Sequence, residues 1–275
     1  MARRATGLKK LRTENPNFLL VDAGNTLTGQ EIANRTRGLA MVEAINLMGY
    51  DALALGPMEL QLSEAELRQV IAQAKFKVLS ANIVVQSTGQ LLAEPYTVVK
   101  VGEYRVGLLG LTGADARNTA LTVKDPLATA REYVPKLAQE ANLVVVLSSA
   151  GLPINQQIAA QVPGIDAIVS AGGQPTKLDQ PQVIPPSKTL LVQSGYEGRW
   201  LGVLRLLLDG KGKLADYTGE LWLLNQNFAD DPDIVALINQ YKIQLGITPT
   251  PTATPVVATP PTRPAITFPS PTPKP

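Results

Sequence analysis

The order of strand and helix signals along the chain constrains its fold more than any other feature of the sequence. In the first two thirds, short apolar runs typical of buried strands alternate with amphipathic helical segments. In the last third, residues 202–208 and 214–223 form two strand patterns joined by the turn Gly210-Lys211-Gly212. Strands that alternate with helices pair in parallel, whereas strands joined by a tight turn pair antiparallel. The sequence therefore predicts an α/β fold with mixed sheets and with helices outside them.

Strand predictions come from short runs rich in β-branched and aliphatic residues. Residues 97–101 and 104–111 carry such residues on either side of Gly102-Glu103, which predicts a second hairpin. The remaining single strands are predicted at residues 18–21, 52–55, 77–81, 143–147, 167–170 and 190–193.

Helix start signals mark where three of the helices begin. Ser63, followed three residues later by Glu66, is the pattern of a capping box and predicts a helix to about residue 74. Asp125 and Asp231 each precede a proline, so both are N-cap candidates followed by the residue favoured at the first helical position. They predict helices to about residues 140 and 245. A further helix is predicted as one continuous segment over residues 31–48.

The 275-residue chain contains no histidine and no cysteine, which excludes several kinds of chemistry. Without cysteine there is no disulfide, no thiolate nucleophile and no cysteine-ligated zinc or iron–sulfur site. Without histidine there is no Ser-His-Asp triad, no imidazole base and no histidine-ligated metal. Hydrolytic chemistry would have to come from Asp, Glu, Lys, Ser, Tyr or a metal site built from carboxylates alone.

Residues 248–275 differ in composition from the rest of the chain. They hold 10 of the 22 prolines and 8 threonines, with Arg263 and Lys274 as the charged residues. Such a segment forms no core, so we expect a disordered Pro/Thr-rich tail after a domain of residues 1–247. Its Thr-Pro pattern resembles the wall-spanning tails of bacterial surface proteins, and the alternative is a dispensable terminus.

Residues 1–247 carry equal numbers of basic and acidic residues, so the formal net charge of +2 belongs to the tail. A neutral domain argues against nucleic acid or an anionic membrane as its main partner. No apolar run approaches the ~18 residues of a transmembrane helix, and residues 1–17 lack the apolar core of a signal peptide. Five basic residues in the first 12 positions fit a targeting or nucleic-acid arm or, as we prefer, the exposed face of a short helix ending near Asn15-Pro16.

The residues that directly follow the strands are where ligands bind in folds of this kind. Two carboxylates, Asp22 and Glu59, lie close to such strand ends. One interpretation is a pair that performs acid–base chemistry. The interpretation we prefer is an Asp22 that binds loop amides and a Glu59 that is either a surface charge or a charge at the start of a helix.

Six short sequence motifs around these strands follow one another in a characteristic order over nearly all of residues 1–224. They are Leu19-Leu20-Val21-Asp22-Ala23-Gly24, Met48-Gly49-Tyr50-Asp51-Ala52, Ala81-Asn82-Ile83, Gly107-Leu108-Leu109-Gly110-Leu111-Thr112, Gly164-Ile165-Asp166-Ala167-Ile168 and Thr189-Leu190-Leu191-Val192-Gln193-Ser194-Gly195. Together they resemble the calcineurin-like metallophosphoesterases, and in particular the N-terminal domain of the 5′-nucleotidase group. The resemblance implies an α/β/β/α sandwich and two divalent metal ions that clamp a phosphate and generate a hydroxide nucleophile.

At every ligand position that the resemblance places within this chain, the sequence departs from the family. Asn25 replaces the bridging aspartate, Pro57 the ligand asparagine, and Met58 the histidine that helps to stabilise the phosphate. The other family histidines fall on Ser149, Gly172 and Gln174. Amide, hydroxyl and thioether groups lack the charge that two close divalent cations require, so we expect no bound metal.

The first Asp-x-His of the family would precede Met1. We therefore expect the first strand of the domain, together with a signal peptide, to lie upstream in a longer reading frame. Such a signal would place the protein outside the cytoplasm or at the cell surface.

The preferred interpretation is a pseudoenzyme, a non-catalytic binding or scaffold module with an unknown small-molecule or protein ligand. The polar groups available to a ligand in the cleft are Asp22, Asn25, Glu59, Ser149 and Gln174. Two alternatives remain: a hydrolase of nucleotides or other phosphate esters, and a surface-anchored interaction protein. The segment from Asp22 to Leu27 also resembles the first motif of haloacid-dehalogenase-type phosphatases, but the later strand ends lack the lysine and paired acidic residues that this family needs.

Overall fold

Two β-sheet layers with helices on their outer faces make up residues 1–114, 118–173 and 176–249, the part of the chain that the computed structural model describes. The helices are α1 (Ala2–Glu14), α2 (Glu31–Arg35), α3 (Leu39–Met48), α4 (Glu64–Gln73), α5 (Pro126–Glu140), α6 (Leu152–Gln161) and α7 (Pro232–Gln244). The strands are β1 (Val21–Asp22), β2 (Ala52–Ala54), β3 (Lys77–Leu79), β4 (Ile83–Val85), β5 (Tyr96–Val101), β6 (Tyr104–Leu111), β7 (Leu121–Val123), β8 (Leu143–Ser148), β9 (Ala167–Ser170), β10 (Gln182–Ile184), β11 (Thr189–Val192), β12 (Trp200–Leu208) and β13 (Leu214–Leu223).

The larger sheet has six strands in the order β10-β11-β9-β8-β6-β5. Its four inner strands run parallel, and the edge strands β5 and β10 pair antiparallel with their neighbours. The facing layer contains the parallel sheet β1-β2-β3 and the antiparallel hairpin β12-β13, while β4 and β7 form a small separate pair. The predicted mixed sheets and both predicted hairpins are therefore confirmed.

The hydrophobic core has three parts, which define the order of the layers. Between the sheets, Ala54 and Leu79 of the smaller sheet pack with Leu108 and Leu147 of the larger one, and none of these side chains is exposed. Helices α5 and α6 cover the outer face of the larger sheet, and α1, α3, α4 and α7 cover the other layer. This is the α/β/β/α sandwich that we expected.

The helix start signals in the sequence are confirmed. The Ser63 hydroxyl accepts a hydrogen bond from the Glu66 N–H (3.3 Å), and the Glu66 carboxylate accepts one from the Ser63 N–H (2.8 Å). Asp125 caps α5 by accepting a hydrogen bond from the Ala128 N–H (2.7 Å), and Asp231 caps α7 in the same way. These caps satisfy N–H groups that have no partner inside the helix.

The basic segment at the start of the chain forms the short helix α1. It buries Leu8 and Leu11 and leaves Lys9 exposed, with the Lys9 ammonium 2.6 Å from the Asp231 carboxylate. The interpretation of this segment as a helix with an exposed basic face is supported. Within the described part of the chain, no helix is long and apolar enough to cross a membrane.

Residues 31–48 do not form the single predicted helix. Arg37 (φ 51°) and Gly38 (φ 85°) separate α2 from α3, because both take left-handed backbone conformations that a helix cannot contain. The Gly38 N–H donates to the Ala33 carbonyl (2.8 Å) and so closes the end of α2.

Strands β4, β7 and β10 and helix α6 were not predicted. Each of these strands has three residues, too few for a periodic pattern, and α6 begins after Gly151, which offers no side-chain cap. The strand predicted at residues 18–21 is observed as β1, which covers only Val21–Asp22. The Leu20 N–H bonds the Asp51 carboxylate (2.7 Å) instead of a strand neighbour, so regular pairing begins one residue later.

Candidate functional site

The carboxyl ends of β1, β2, β8 and β9 meet at one edge of the sheets and bring four predicted site positions together. Asn25 Oδ1 accepts a hydrogen bond from the Met58 N–H (2.9 Å). A Cβ atom on Gly172 would overlap the Ser149 carbonyl oxygen and lie 3.6 Å from Asn25 Nδ2. We refer to Asn25, Met58, Ser149 and Gly172 as the strand-end cluster.

Glu59 is a buried carboxylate that joins two of the strand-end loops. Its Oε2 accepts hydrogen bonds from the N–H groups of Gly56 (2.7 Å) and Asn25 (2.9 Å), and its Oε1 from those of Thr26 (2.8 Å) and Leu27 (2.9 Å). Because Glu59 has no exposed surface, the prediction of a surface charge is wrong, whereas its predicted alternative position at a helix start is confirmed by the short 3-10 helix Glu59–Gln61. Burial raises the pKa of Glu59, and the N–H donors oppose this effect. We refer to these four hydrogen bonds as the Glu59 clamp.

Asp22 organises the loop that follows β1. Its Oδ1 accepts hydrogen bonds from the Gly24 N–H (2.9 Å) and the Thr26 hydroxyl (2.9 Å), as expected of a residue that binds loop amides. In this loop Asn25 has a left-handed backbone (φ 62°), which asparagine tolerates better than most residues. Gly56 permits the close approach of the two loops, because a Cβ atom there would lie 2.5 Å from Asn25 Oδ1.

The remaining predicted positions offer little to a ligand. The Ser149 hydroxyl is turned inward, at 3.4 Å from two backbone carbonyl oxygens, and the residue is 2% exposed. Pro57 has no side-chain donor atom, and the Met58 methyl group packs so close to Gly29 that a Cβ there would lie 2.8 Å away. Gln174 lies outside the described residues.

A buried hydrogen-bond network that we did not predict ties together the strand ends of the larger sheet. Asn155 Oδ1 accepts from the Ser148 hydroxyl (2.6 Å), and its amide donates to Ser170 Oγ (2.8 Å). The Ser170 hydroxyl donates to Gln193 Oε1 (2.7 Å), and the Gln193 amide donates to the Thr176 carbonyl (2.9 Å). The sequence did signal Ser148, Ser170 and Gln193, because each is a polar residue at or just after the end of an apolar strand. It gave no such signal for Asn155, which belongs to the unpredicted α6.

The strand-end cluster and the neighbouring Glu59 do not fit a two-metal centre. Asn25 Oδ1 and both Glu59 oxygens already accept backbone N–H groups, and Gly172 has no side chain. Across residues 1–114, 118–173 and 176–249, no three acidic side chains lie close enough together to hold a metal ion. Two adjacent divalent cations need several carboxylate or imidazole ligands, and this donor set does not supply them.

The chain resembles 5′-nucleotidases in sequence. It is 31% identical over 280 residues to a snake venom 5′-nucleotidase of Gloydius brevicauda, with 89% of this chain and 46% of that protein covered. It is 30% identical over 273 residues to the human 5′-nucleotidase, with 89% and 47% covered. The chain thus spans about half the length of the curated relatives it matches. No family model matches it.

Solved structures share the architecture. The 5′-nucleotidase precursor of Thermus thermophilus superposes with a TM-score of 0.80 at 31% identity, covering 89% of this chain and 53% of that one. The calcineurin-like phosphoesterase YfkN of Bacillus subtilis, 23% identical, shares the fold with a TM-score of 0.78 over 89% of this chain and 88% of its own. The chain is therefore similar in sequence to the N-terminal metallophosphoesterase domain of 5′-nucleotidases and shares the fold of the calcineurin-like phosphoesterases.

Proposed function

We propose that the chain is a non-catalytic member of its family and serves as a binding or scaffold module. The observation that carries the proposal is the way the strand-end loops are closed. Hydrogen bonds within the chain, from Met58 to Asn25 and from four N–H groups to Glu59, occupy the oxygens that face the junction of these loops. The fold is retained, while the side-chain oxygens of Asn25 and Glu59 form hydrogen bonds that stabilise the fold itself.

The same contacts argue against the acid–base interpretation of Asp22 and Glu59. A general acid or base must reach the proton of a substrate through at least one free oxygen. Both Glu59 oxygens are buried and each accepts two hydrogen bonds, so Glu59 has no oxygen free for the proton of a substrate. Hydrolysis of a phosphate ester is among the slowest uncatalysed reactions, and an accelerating site needs strong charge stabilisation that this cluster lacks.

The proposal is tested with the full chain, purified after growth with Mn, Zn and Fe supplied. We expect elemental analysis to find well below one metal ion per chain, and added Mn²⁺ or Zn²⁺ to release no phosphate from AMP. One bound ion or more, together with metal-dependent hydrolysis, would overturn the proposal. Metal-independent hydrolysis that is lost in Asp22→Ala but kept in the exposed control Asp216→Ala would establish a carboxylate-dependent hydrolase instead.

We also propose an extracytoplasmic location, with residues 248–275 as a tail separate from the domain. Support comes from the Thr-Pro composition of these residues and from relatives whose name places them in venom. Fractionation of cells that express the protein with its natural upstream sequence tests the location, and recovery in the cytoplasm alone would contradict it. If deletion of residues 248–275 changes neither location nor partner binding, the alternative of a tail-anchored interaction protein fails.

A further inference from the structure

The six-stranded sheet ends at β5, whose outer edge pairs with no strand of the described residues. β5 comes last in the strand order and bonds β6 on its inner side. The Gly110 N–H of β6 donates to the Pro95 carbonyl (3.2 Å), so Pro95 and every second residue after it face β6. The backbone N–H and C=O groups of Tyr96, Val98 and Lys100 therefore point outward, and within the described part of the chain they have no hydrogen-bond partner.

The edge of β5 is long and regular enough to accept a further strand. β5 has six residues, contains no proline and pairs with β6 without an irregularity. β10, the strand at the other end of the sheet, has three residues. Every residue of β5 is half-buried or exposed, whereas residues 106–111 of β6 are all buried. A regular edge strand of this kind is a template for pairing with another chain.

Lys100 is the charged residue of β5, and its position is unfavourable within its own chain. Across the hairpin it lies directly opposite Arg105, and like charges in opposite positions destabilise a strand pair. The Lys100 side chain is exposed, and no carboxylate among the described residues forms an ion pair with it. Its positive charge is therefore available to a second molecule at this edge.

The other end of the same edge carries a negative charge. The Tyr96 hydroxyl donates a hydrogen bond to Glu140, the last residue of α5 (3.2 Å), and the Tyr96 ring meets that of Tyr133 edge-on at 6.1 Å between centroids. Tyr96, Val98 and Lys100 lie on the α5 face of the sheet, because alternate residues of a strand share one face. The edge thus runs from the Glu140 carboxylate at its start to the Lys100 ammonium at its end.

From these contacts we propose that two copies of this chain pair through their β5 strands, antiparallel and about a twofold axis at Val98. The pairing joins two six-stranded sheets into one sheet of twelve strands. Val98 then lies opposite the same residue of the second copy, and Tyr96 lies opposite Lys100 of the second copy. These pairs satisfy the outward backbone groups of both strands. Each Lys100 reaches the Tyr96 ring and the Glu140 carboxylate of the other copy, so opposite charges meet at both ends.

The helices leave room for this pairing. Helix α5 lies mainly over β6 and β8, one strand back from the edge. Since neighbouring strands are about 4.8 Å apart, the two β6 strands of the dimer are about 14 Å apart. Packed helices need about 8–10 Å between their axes, so the two copies of α5 do not collide. The rings of Tyr96 and Tyr133 from each copy lie in the space between them.

The test measures the mass of the full chain in solution by sedimentation equilibrium. One chain has a mass of 29.3 kDa, and we expect twice this mass at about 200 μM. Lys100→Glu brings like charges together and should weaken dimerisation about tenfold or more. Adding Glu140→Lys to this variant reverses both charges and should restore the dimer. Lys75→Glu is the matched control, because Lys75 is an exposed lysine that follows α4 in the other layer, and it should leave the dimer intact.

Amide hydrogen exchange at about 200 μM locates the interface. The Val98 N–H points outward and the Val99 N–H bonds β6. Exchange at Val98 should therefore be about tenfold or more faster in Lys100→Glu than in the unmodified chain, while exchange at Val99 should be the same in both.

Four results would overturn the proposal. The first is one chain per particle at about 200 μM, which would leave the edge to another molecule or to none. The second is a dimer that Lys100→Glu does not weaken, and the third is equal exchange at Val98 in the two proteins. The fourth is tighter association of Lys100→Ala, which would show that Lys100 protects the edge from pairing.

Discussion

Asp51 and Asp166 perform the same structural task in the two sheet layers. Each lies two residues after a glycine with a left-handed backbone and directly before the alanine that begins a parallel strand. The Asp51 carboxylate accepts a hydrogen bond from the Leu20 N–H (2.7 Å), and the Asp166 carboxylate accepts one from the Val144 N–H (2.8 Å). In return, each aspartate N–H donates to the carbonyl of the same partner at 2.9 Å. The four-residue motif Gly-x-Asp-Ala therefore fixes where one parallel strand begins in each of the two sheets.

Replacing Asp51 or Asp166 with alanine should lower the free energy of unfolding by about 1–3 kcal/mol, because the partner N–H loses its acceptor. Asparagine keeps one acceptor oxygen and should cost less at either position. Urea denaturation of the four variants measures these differences. Alanine and asparagine variants of equal stability would show that the side-chain hydrogen bond does not set the start of the strand.

The stability of Asp166→Asn relative to the unmodified chain should depend on pH. Burial raises the pKa of Asp166, against the opposing effects of the Val144 N–H and Lys213. The folded state thus holds this proton more tightly than the unfolded state, so ionisation of Asp166 lowers the free energy of unfolding as pH rises above the usual value of 3.8. Because asparagine does not titrate, the variant should gain relative stability as pH rises from about 4 to the raised pKa of Asp166, and the difference should stay constant above it. Denaturation at several pH values measures this gain, and a constant difference would contradict it.

Glu59→Gln should destabilise the chain although the side-chain volume is kept. The new amide presents N–H groups to two of the four N–H donors, so at least one buried donor is left unpaired, at a cost of about 1–3 kcal/mol. Glu64→Gln is a matched control, since Glu64 lies on the surface of α4 in a pair with Arg68 (2.8 Å) and such pairs contribute about 0–1 kcal/mol. Equal unfolding midpoints for the two variants would mean that the Glu59 clamp does not hold the loops.

The capping box at the start of α4 should weaken in acid. Hydrogen bonds from the Ser63 N–H and hydroxyl lower the pKa of Glu66. Glu66 therefore stabilises the helix above its usual pKa of 4.5, and this contribution is lost as pH falls through the lowered value. Ser63→Ala should cost about 0.5–2 kcal/mol near neutral pH and less in acid, while Ser63→Thr should keep most of the cap. Denaturation at neutral and acidic pH measures both costs, and a Ser63→Ala cost that does not fall in acid would contradict the reciprocal cap.

The elements that sequence predicts best are those specified by local chemistry. Ser63 with Glu66, and Asp125 and Asp231 before proline, mark helix starts because their side chains bond N–H groups only a few residues away. The proximity of the loops that contain Asn25 and Ser149 was also predictable, because the carboxyl ends of parallel strands lie at one edge of a sheet.

Features that leave no recognisable pattern in the local sequence were missed. The break at Arg37 and Gly38 arises from backbone conformations that a helical periodicity does not register. The burial of Glu59 depends on N–H groups more than 30 residues away, and a lone carboxylate in the sequence gives no sign that four donors converge on it. For the same reason Asn155, which links two strand ends, could not be identified from its neighbours in sequence.

On our proposal that the chain binds no metal, the Glu59 clamp would make the folding of this domain independent of a cofactor. Where an ion holds the loops of a site, the folded population rises and falls with the availability of that ion. Here a side chain of the polypeptide itself, the Glu59 carboxyl group, closes the loops after β1 and β2. The arrangement of these loops is therefore set by the sequence, and we expect it to be the same in a metal-poor compartment as in a metal-rich one.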